Sequence, residues 1–335
     1  MMSSTVLITG GLGYIGSHTC VALIEAGYQV VILDNHSNSK PHALNRIAQI
    51  LGFVPQFVLG DIRDRVLLNK IFKENKISAV IHFAGLKRAG ESLLHPLSYF
   101  DNNIAGTVGL LLAMKKADIR TLVFSSSAAV YGEPRTVPIC ENNPCLPASP
   151  YGRSKLFVED ILNDLFESEP EWCIARLRYF NPAGAHSSGL IGDDPNGTPS
   201  SLVPCIAQVA AGIRERLQVF GSDYPTSDGT GVRDYIHVMD LAAGHVSALR
   251  RCLDGHGILI TVNLGSGAGN TVMQVVRAFE SVCAKKIPYE FLPRRRGDIS
   301  HCWADTTLAV TTLGWKATRN LFQICEDSWR WQSNN

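Results

Sequence analysis

Short, unbroken apolar runs alternate with helix-length segments through the first half of the chain. Five of these runs have the length and the Val, Ile and Leu content of buried strands: residues 5–9, 29–33, 56–59, 79–83 and 121–124. Continuous rather than alternating hydrophobicity predicts strands covered on both faces, as in a parallel sheet. Alternation of such strands with helices predicts an α/β fold with a doubly wound parallel sheet.

The pattern changes after about residue 180. Residues 181–200 contain four Gly and three Pro, which indicates a lobe boundary or a ligand-binding loop. A predicted helix over 202–214 and a predicted strand over 258–262 follow. We therefore expect a first lobe over residues 1–180 and a smaller C-terminal α/β lobe over 181–335. Later segments near 235–265 are expected to return to the large sheet.

Composition narrows the possible partners and the compartment. Of the 335 residues, 31 are Lys or Arg and 30 are Asp or Glu, so the net charge of +1 favours neither nucleic acid nor a membrane surface. The apolar runs are too short to span a membrane, and no basic residue precedes Lys40, so we expect no targeting segment. Nine cysteines without a C-x-x-C pair favour a reducing, cytoplasmic setting, and no metal-ligand spacing is present.

A glycine-rich turn follows the first strand and opens a helix that should end at Gly27. Gly10, Gly13 and Gly16 give the spacing G-x-x-G-x-x-G. Glycines permit a tight turn and let a pyrophosphate approach the backbone, while the helix N-terminus supplies amide donors. A plain tight turn is the alternative for this motif taken alone.

Two carboxylates at the spacing expected after that turn favour a Rossmann-type dinucleotide site. Asp34 ends the second strand, 18 residues beyond Gly16, where it can accept from both ribose hydroxyls. The same charge would repel a 2′-phosphate, so NAD is favoured over NADP. Asp61, after the third strand, is placed to bind the adenine amine. The later cluster Gly265–Gly269 lacks a P-loop ending and is interpreted as a structural turn.

Tyr151, Lys155 and Ser127 form the candidate catalytic group. Tyr151 and Lys155 are four residues apart, so a helix places them on one face, and Pro147 and Pro150 just ahead mark where that helix can begin. A lysine cation favours the phenolate and makes tyrosine a usable base. Ser127 ends a strand at the ligand-binding edge of the sheet. A surface Tyr–Lys pair and a serine without a role are the alternatives.

Several longer segments resemble the UDP-galactose 4-epimerase (UDP-glucose 4-epimerase) family, extended members of the short-chain dehydrogenase/reductase superfamily. The resemblance runs nearly end to end. It is carried by residues 9–17, 81–87, 124–132, 151–155, 178–182, 228–238 and 293–298. The glycine turn and Tyr-x-x-x-Lys mark only the superfamily, whereas Phe-Ala-Gly-Leu-Lys and Gly-Val-Arg-Asp-Tyr-Ile-His-Val are far more specific.

The resemblance implies an isomerase of galactose metabolism that uses tightly held NAD. Tyr151 would take the proton of the sugar 4-hydroxyl while C4 gives a hydride to NAD, and Ser127 would bridge the hydroxyl and the phenol. Lys155 would lower the phenol pKa and hold the nicotinamide ribose. The 4-keto sugar would turn and be reduced on its other face. The family also implies a homodimer built from two helices of each subunit, for which 91–116 and 150–168 are the candidates.

Binding residues are carried over by position. The NAD set is Gly10, Gly13, Tyr14, Ile15, Gly16, Asp34, Asn35, His36, Ser37, Asn38, Ser39, Asp61, Ile62, Phe83, Ala84, Gly85, Leu86, Lys87, Asn102, Ser127, Tyr151, Lys155, Tyr179 and Phe180. The UDP-sugar set is Ser127, Tyr151, Asn181, Ser201, Leu202, Gln218, Val219, Phe220, Arg233, Arg295, Asp298 and Cys302. A surface lysine is the alternative for Lys87, and a solvated basic loop for Arg294 to Arg296.

Cys302 lies at the position that resembles the gate of the family's sugar pocket. Bacterial members confined to UDP-glucose and UDP-galactose usually carry tyrosine there. The smaller cysteine leaves room for a 2-acetamido group, so we expect activity on UDP-GlcNAc and UDP-GalNAc as well. Filling of that space by a neighbour such as His301 is the alternative.

Two rival functions are weighed against an epimerase. A nucleotide-sugar 4,6-dehydratase or decarboxylase would use the same scaffold, but Ala128 and Ala129 offer no proton-transfer group after Ser127. A non-catalytic NAD-binding protein would have no need for Ser127, Tyr151 and Lys155 together. His82 and His237 are interpreted as core or supporting groups rather than as metal ligands.

Overall fold

The strands follow the predicted alternation with helices. The computed structural model describes residues 4–295 and 297–335. The first 180 residues supply β1 (Thr5–Thr9), β2 (Gln29–Asp34), β3 (Gln56–Leu59), β4 (Ile77–His82), β5 (Thr121–Ser127) and β6 (Cys173–Tyr179). Then come β7 (Asn181–Ala183), β8 (Leu217–Phe220), β9 (Val232–His237), β10 (Ile258–Leu264), β11 (Gly269–Thr271), β12 (Tyr289–Leu292) and β13 (His301–Cys302).

Seven of these strands form one sheet in the order β10-β6-β5-β4-β1-β2-β3. Every neighbouring pair in it is parallel. The predicted parallel sheet is confirmed, and the strands at 5–9 and 56–59 have the predicted limits. β10 lies beside β6, so a late segment of the chain completes the edge of the sheet. The carboxyl ends of β1, β4 and β5 meet where such sheets bind ligands.

The described helices are α1 (Tyr14–Glu25), α2 (His42–Leu51), α3 (Arg65–Glu74), α4 (Ala89–Leu94), α5 (Pro96–Phe100), α6 (Gly106–Lys116), α7 (Pro150–Ser168), α8 (Leu202–Ala210), α9 (Val238–Leu253), α10 (Val272–Cys283), α11 (Thr307–Leu313) and α12 (Leu321–Asn334). Gly27 follows α1 with a φ of +91°, in the left-handed region that favours glycine. The prediction of a helix over 202–214 was wrong at its end. α8 stops at Ala210 because Gly212 takes a φ of +75° in the turn that leads to β8.

Helices cover both faces of the sheet. One core contains Val6, Ile8 and Ile32 of the strands with apolar residues of α1, α2 and α9. The opposite core contains Leu7 and Leu33 with residues of α3, α6 and α7. Successive strand residues point to opposite faces, so each strand contributes to both cores, which is why the sequence runs are continuously apolar.

The second half adds a smaller layer beside the ligand edge of the sheet. β9 is its central strand and pairs with β7 and β13 in parallel and with β11 antiparallel. β8 and β12 form a separate parallel pair. A third core packs α8, α10 and α12 against β8 and β9. Cys302 of β13 packs against Tyr131, which follows the carboxyl end of β5.

Candidate active site

The glycine turn has the geometry that an anion site requires. Gly10 has a φ of +71°, and a Cβ there would lie 2.7 Å from the backbone nitrogen of Ala84. A Cβ on Gly16 would lie 2.3 Å from the Gly10 carbonyl oxygen. α1 begins directly after Gly13, which supplies no side-chain cap, so the first-turn amides can donate to a ligand.

Asp34 joins this turn to the chain that follows β2. Its carboxylate accepts hydrogen bonds from the backbone nitrogens of Leu12 (3.0 Å) and His36 (2.9 Å) and from the Ser39 hydroxyl (2.8 Å). The carboxylate is buried at the end of β2, as the sequence predicted. Residues 34–39 therefore lie against the glycine turn, which is the placement that an NAD ribose and pyrophosphate need.

Asp61 lies close to the same edge. It accepts from Asn35 Nδ2 at 2.9 Å, and hydrogen bonds from Arg63 hold the pKa of its carboxyl well below the usual range. Ile62 belongs to the core, so only its backbone can face a ligand. After β4, the backbone nitrogens of Phe83 and Ala84 donate to the Thr9 carbonyl, which holds this loop beside the glycine turn.

Asn103 is a supporting residue that sequence reasoning missed. Its amide accepts from the Leu86 nitrogen (2.8 Å), donates to the Leu86 carbonyl (3.0 Å) and donates to the Ser154 hydroxyl (2.9 Å). Its neighbour Asn102 donates to Asn103 Oδ1 at 3.0 Å. A buried amide with three protein partners fixes the loop after β4 against α7.

α7 positions the tyrosine and the lysine of the candidate catalytic group. Ser149 caps the helix by accepting from the Gly152 nitrogen at 3.1 Å, and Pro150 is its first residue, as predicted. Lys155 is buried and donates from Nζ to the Ser125 carbonyl at 2.7 Å. Burial lowers the pKa of Lys155 to about 8.

Ser127 and Tyr151 meet at the end of β5. The Ser127 hydroxyl accepts from the Ala129 nitrogen at 3.1 Å and lies near enough to the Tyr151 phenol to affect its pKa. Burial raises the pKa of Tyr151, and the Ser127 hydrogen bond opposes that rise. Burial outweighs the lowering that the sequence suggested, so a lowering of the phenol pKa by Lys155 stays a prediction. The structure brings all three residues together.

A buried ion pair supports this group from behind and was also missed. Glu159 lies one helical turn beyond Lys155 and accepts from Arg178 Nη2 (2.6 Å) and Nε (3.0 Å) and from the Ser126 hydroxyl (2.5 Å). Its negative charge raises the pKa of Lys155, opposing the effect of burial. A carboxylate on the inner face of a predicted helix was the available signal, because buried charges need partners.

Arg233, Arg295 and Asp298 collect near β8 and β9. Arg295 donates to both carboxylate oxygens of Asp298 (2.8 and 3.2 Å), and its guanidinium lies 4.7 Å from the centroid of the Phe220 ring. Arg233 donates to the Val232 carbonyl, and the positive charges of Arg233 and Arg295 oppose the rise that burial causes in the pKa of Tyr235. Two guanidinium groups at one edge can bind a diphosphate.

Tyr224 belongs to this neighbourhood although sequence reasoning did not identify it. Its hydroxyl is buried and has no hydrogen-bond partner within residues 4–295 and 297–335. Burial raises the pKa of this phenol, and the Asp298 charge adds to the rise. Arg294, Arg233 and Arg295 oppose it, so the ring lies among these charges.

The remaining predicted UDP-sugar residues border the same region on separate elements. Asn181 begins β7 and pairs with Tyr235, while Ser201 and Leu202 mark the start of α8. Gln218 and Val219 lie on β8, and the Val219 side chain belongs to the core, which leaves only its backbone for a ligand. Arg294 pairs with Asp223 instead, and Arg296 lies outside the described residues.

Cys302 lies beside the expected sugar pocket. It pairs with Arg233 in register and packs in a small cluster with Phe180, Tyr131 and the partly buried Ala128. Burial raises the pKa of the Cys302 thiol to about 11. His301 packs edge-on against the Trp303 ring, and strand alternation directs it away from the Cys302 face.

The other residues singled out from the sequence have structural partners. His82 is buried between the Thr9 and Thr107 hydroxyls, and Lys87 Nζ lies 3.8 Å from Asp193. His237 caps α9 and contacts Asp327. The cluster 265–269 forms a turn whose backbone donates to buried Asp234.

The described part of the chain has neither a metal-binding cluster nor a helix that could span a membrane. Within residues 4–295 and 297–335, no group of three or more His, Cys, Asp or Glu side chains is arranged to hold a metal ion. No helix in this part has the length and hydropathy of a membrane span.

The fold and the site define an NAD-binding protein of the Rossmann type, with the Ser, Tyr and Lys group of short-chain dehydrogenases/reductases. A family model described as GDP-mannose 4,6 dehydratase matches residues 7–328. A UDP-glucose 4-epimerase of Yersinia pestis is 56% identical over 331 residues, which is 98% of each chain. The chain belongs to the UDP-glucose 4-epimerase family.

Solved structures agree with that assignment. UDP-glucose 4-epimerase of Stenotrophomonas maltophila, with bound NAD and formylated UDP-arabinopyranose, is 51% identical with a TM-score of 0.96, covering 99% of this chain and 98% of that one. The enzyme of Bifidobacterium longum, in complex with NAD+ and UDP, is 48% identical with a TM-score of 0.96, covering 99% of both chains. The cofactor is NAD, and the glycine turn, Asp34 and the first-turn amides of α1 fit it.

Proposed function

We propose that this chain catalyses the reversible C4 epimerisation of UDP-glucose and UDP-galactose through a transient 4-keto sugar. The convergence of Ser127, Tyr151 and Lys155 beside the glycine turn carries this proposal. The NAD and UDP-sugar sets named above are the proposed binding residues. We assign residues 1–180, completed by β10, to the NAD lobe and the rest of 181–335 to the UDP-sugar lobe.

The side chains have separate roles in the proposed reaction. NAD, when bound, accepts a hydride from C4 of the sugar and returns it. Tyr151 takes the proton of the 4-hydroxyl and gives it back, and Ser127 orients the hydroxyl toward the phenol. The Lys155 cation favours the phenolate by its charge. Arg233 and Arg295 hold the diphosphate, so the sugar can turn while the nucleotide stays bound.

The position after Ser127 argues against a dehydratase. Ala128 and Ala129 form the short helical turn that follows β5, and neither carries a group that could protonate a leaving hydroxyl. An enzyme that eliminates water needs such a group at the reacting carbon. Simple return of hydride and proton is the chemistry that these residues support.

Proton NMR without added oxidant tests the proposal. Purified protein is mixed with UDP-galactose, and the anomeric signals distinguish each sugar from its C4 epimer. Appearance of UDP-glucose supports the epimerase. A 6-deoxy-4-keto product would indicate the dehydratase, and no conversion by folded, NAD-loaded protein would contradict catalysis.

We also propose UDP-GlcNAc and UDP-GalNAc as substrates. Two observations support this proposal: the small Cys302 side chain packs in a cluster with Phe180, and His301 packs against Trp303. The variant Cys302→Tyr should lose conversion of UDP-GalNAc and keep that of UDP-galactose, as followed by the same NMR signals. Cys302→Ala is the matched control, because it removes the thiol without filling the pocket. Full conversion of UDP-GalNAc by Cys302→Tyr would contradict the proposal that residue 302 controls access of N-acetylated sugars.

A cytoplasmic homodimer completes the proposal. Leu94 and Leu97 are 77% and 80% exposed at α4 and α5, and Leu112 and Phe157 are half exposed on α6 and α7. Grouped exposed apolar side chains on these helices fit a subunit interface. Leu97→Lys should shift the mass measured by light scattering toward the monomer, whereas Leu146→Lys, outside these helices, should not. Cytoplasmic localisation is proposed on the cysteine content of the sequence, since nine thiols without a C-x-x-C pair suit a reducing compartment.

A further inference from the structure

Residues 191–196, here called the strap, cross the segment that follows β2. The backbone nitrogen of Asn196 donates to the Asn38 carbonyl at 2.8 Å. The Asn196 side-chain amide donates to the carbonyls of His36 (3.0 Å) and Ser39 (3.3 Å). With a longer contact to the Ser37 carbonyl (3.5 Å), one asparagine contacts the four carbonyls of residues 36–39, although about 160 residues separate it from them in the chain.

Ion pairs add to this contact. The Asp194 carboxylate pairs with Lys40 Nζ and with His42 Nε2 (2.9 Å), and Arg46 Nη1 lies 3.9 Å away. These three basic side chains lie just after residues 35–39 and on α2. Asp194 thus holds the strap against the first lobe at a second point beside Asn196.

The other end of the strap rests on α12. A Cβ on Gly192 would lie 2.5 Å from the Trp331 ring, so the backbone lies flat on the indole and no larger residue fits. Just before the strap, Arg330 donates to the Ser187 carbonyl (3.2 Å) and Asn335 to the Gly189 carbonyl (3.1 Å). The strap is fixed at its α12 end and joined by hydrogen bonds and ion pairs at its Asn196 end.

Between the strap and the glycine turn lies a pocket that is partly open to solvent. Its walls are the glycine turn and the start of α1 on one side, and residues 38–40, α2 and residues 191–195 on the other. The Tyr14 hydroxyl also donates to the Gly184 carbonyl at 2.7 Å, which ties the start of α1 to the chain leading into the strap. The strap therefore covers one side of the channel next to the proposed pyrophosphate site.

We propose that the strap retains NAD between turnovers, with Asn196 and Asp194 as positioning residues that hold residues 35–39 closed on the cofactor. The inference rests on the proposed function, which supplies the reason why NAD has to be retained. A hydride removed from a sugar has to be returned to the same sugar, so loss of the cofactor in mid-cycle would end the reaction. Release of NAD then requires the strap to separate from residues 35–40.

Release of NAD is measured directly, without reference to epimerase activity. Full-length protein loaded with NAD is mixed with excess etheno-NAD, and the exchange rate is followed by fluorescence. Asn196→Ala should release NAD about tenfold faster than the unchanged protein, because it loses its side-chain hydrogen bonds to residues 35–39. Asn69→Ala is the matched control, since it removes an amide that bonds only within α3.

Salt concentration gives a second, independent measurement. Raising ionic strength screens exposed ion pairs, so NAD release from the unchanged protein should accelerate. Asp194→Asn should release NAD faster at low salt and respond less to added salt. Equal release rates for Asn196→Ala and the unchanged protein, both folded, would overturn the proposal. Should Asn196→Ala not fold, the same salt response in Asp194→Asn and the unchanged protein would overturn it instead. Epimerase activity remains a separate readout.

Discussion

Two regions differ in how firmly the protein holds their side chains. One is the catalytic corner, which contains Ser127, Tyr151 and Lys155 with the supporting Glu159–Arg178 pair. The other is the nucleotide-sugar face, which contains Arg233, Arg295, Asp298 and Tyr224. Lys155, Glu159 and Arg178 are all buried, and each has protein hydrogen-bond partners on β5, β6 or α7. By contrast, the Arg295 side chain is 57% exposed on a loop, where it contacts Asp298 and Phe220. The proposed catalytic group therefore lies on the large sheet and α7, whereas the proposed nucleotide-binding residues lie on short strands and loops.

This difference indicates which property a substitution should change. Removal of a buried catalytic group should lower the rate while the nucleotide still binds. Removal of an exposed recognition group should weaken binding while the reacting groups keep their geometry. The strap belongs with the second kind, because it joins residues 35–40 through exposed and half-buried side chains.

The largest effect is expected from Tyr151→Phe. Loss of the phenol removes the proton acceptor, so kcat should fall by about 10³-fold, the range of general acid–base catalysis. KM for UDP-galactose should change little, because Arg233 and Arg295 are untouched. Steady-state kinetics and retained NAD check this prediction. A fall of less than tenfold would show that another group accepts the proton.

The next effect concerns Lys155 and pH. The pKa of about 8 means that Lys155 is a cation below that pH and loses its charge above it, so kcat/KM should fall as pH rises through about 8. In the unfolded chain the pKa is about 10.4, so between about 8 and 10.4 the unfolded state binds more protons. The contribution of this group to stability therefore rises over that window while activity falls.

Because activity and stability should change in opposite directions, deprotonation of Lys155 can be distinguished from unfolding. Activity and denaturant midpoints are measured on the same samples from pH 7 to 10. Lys155→Met should lower kcat by about 10²-fold, and its kcat/KM should no longer fall as pH rises through about 8. A profile that is flat to pH 9.5 would contradict the assignment of the cationic form.

Features that depend on neighbouring residues were predictable from the sequence. The strands at 5–9 and 56–59, the start of α7 at Pro150 and the glycine turn are local patterns of hydrophobicity, capping and backbone freedom. Tyr151 and Lys155 could be paired because helical spacing alone places them on one face. The end of α8 was missed because Gly212 ends the helix within an apolar pattern that continues.

Residues whose role depends on distant partners could not be identified in this way. Asn103 bonds to Ser154, and Asn196 to His36, across 51 and 160 residues. An exposed asparagine on a glycine-rich loop has nothing in its own segment that reveals such a contact. The Glu159–Arg178 ion pair depends on the sheet order that places β6 beside β5. In the sequence, the only indication of this pair was a carboxylate on the inner face of the predicted helix α7.

A tenfold effect is expected from Arg295→Ala. The variant removes one guanidinium from the proposed diphosphate site, so KM for UDP-galactose should rise about tenfold with kcat within about threefold. Arg294→Ala is the matched control, since Arg294 is paired with Asp223 and packs on Tyr224. A rise in KM of equal size for both variants would indicate a general change in the charge of this loop.

The smallest effect, from Tyr224→Phe, tests whether the nucleotide-sugar face is as adaptable as its exposure suggests. The Tyr224 hydroxyl is buried among Arg233, Arg295 and Asp298 and lacks a partner in the described part of the chain. A buried unpaired hydroxyl destabilises a protein by about 1–3 kcal/mol, so its removal should raise the stability of the free enzyme. If the hydroxyl bonds to bound nucleotide, KM should also rise by about three- to fivefold, since one neutral hydrogen bond is lost. A gain in stability with unchanged KM would instead show that this hydroxyl is idle, and that recognition here depends on the arginines alone.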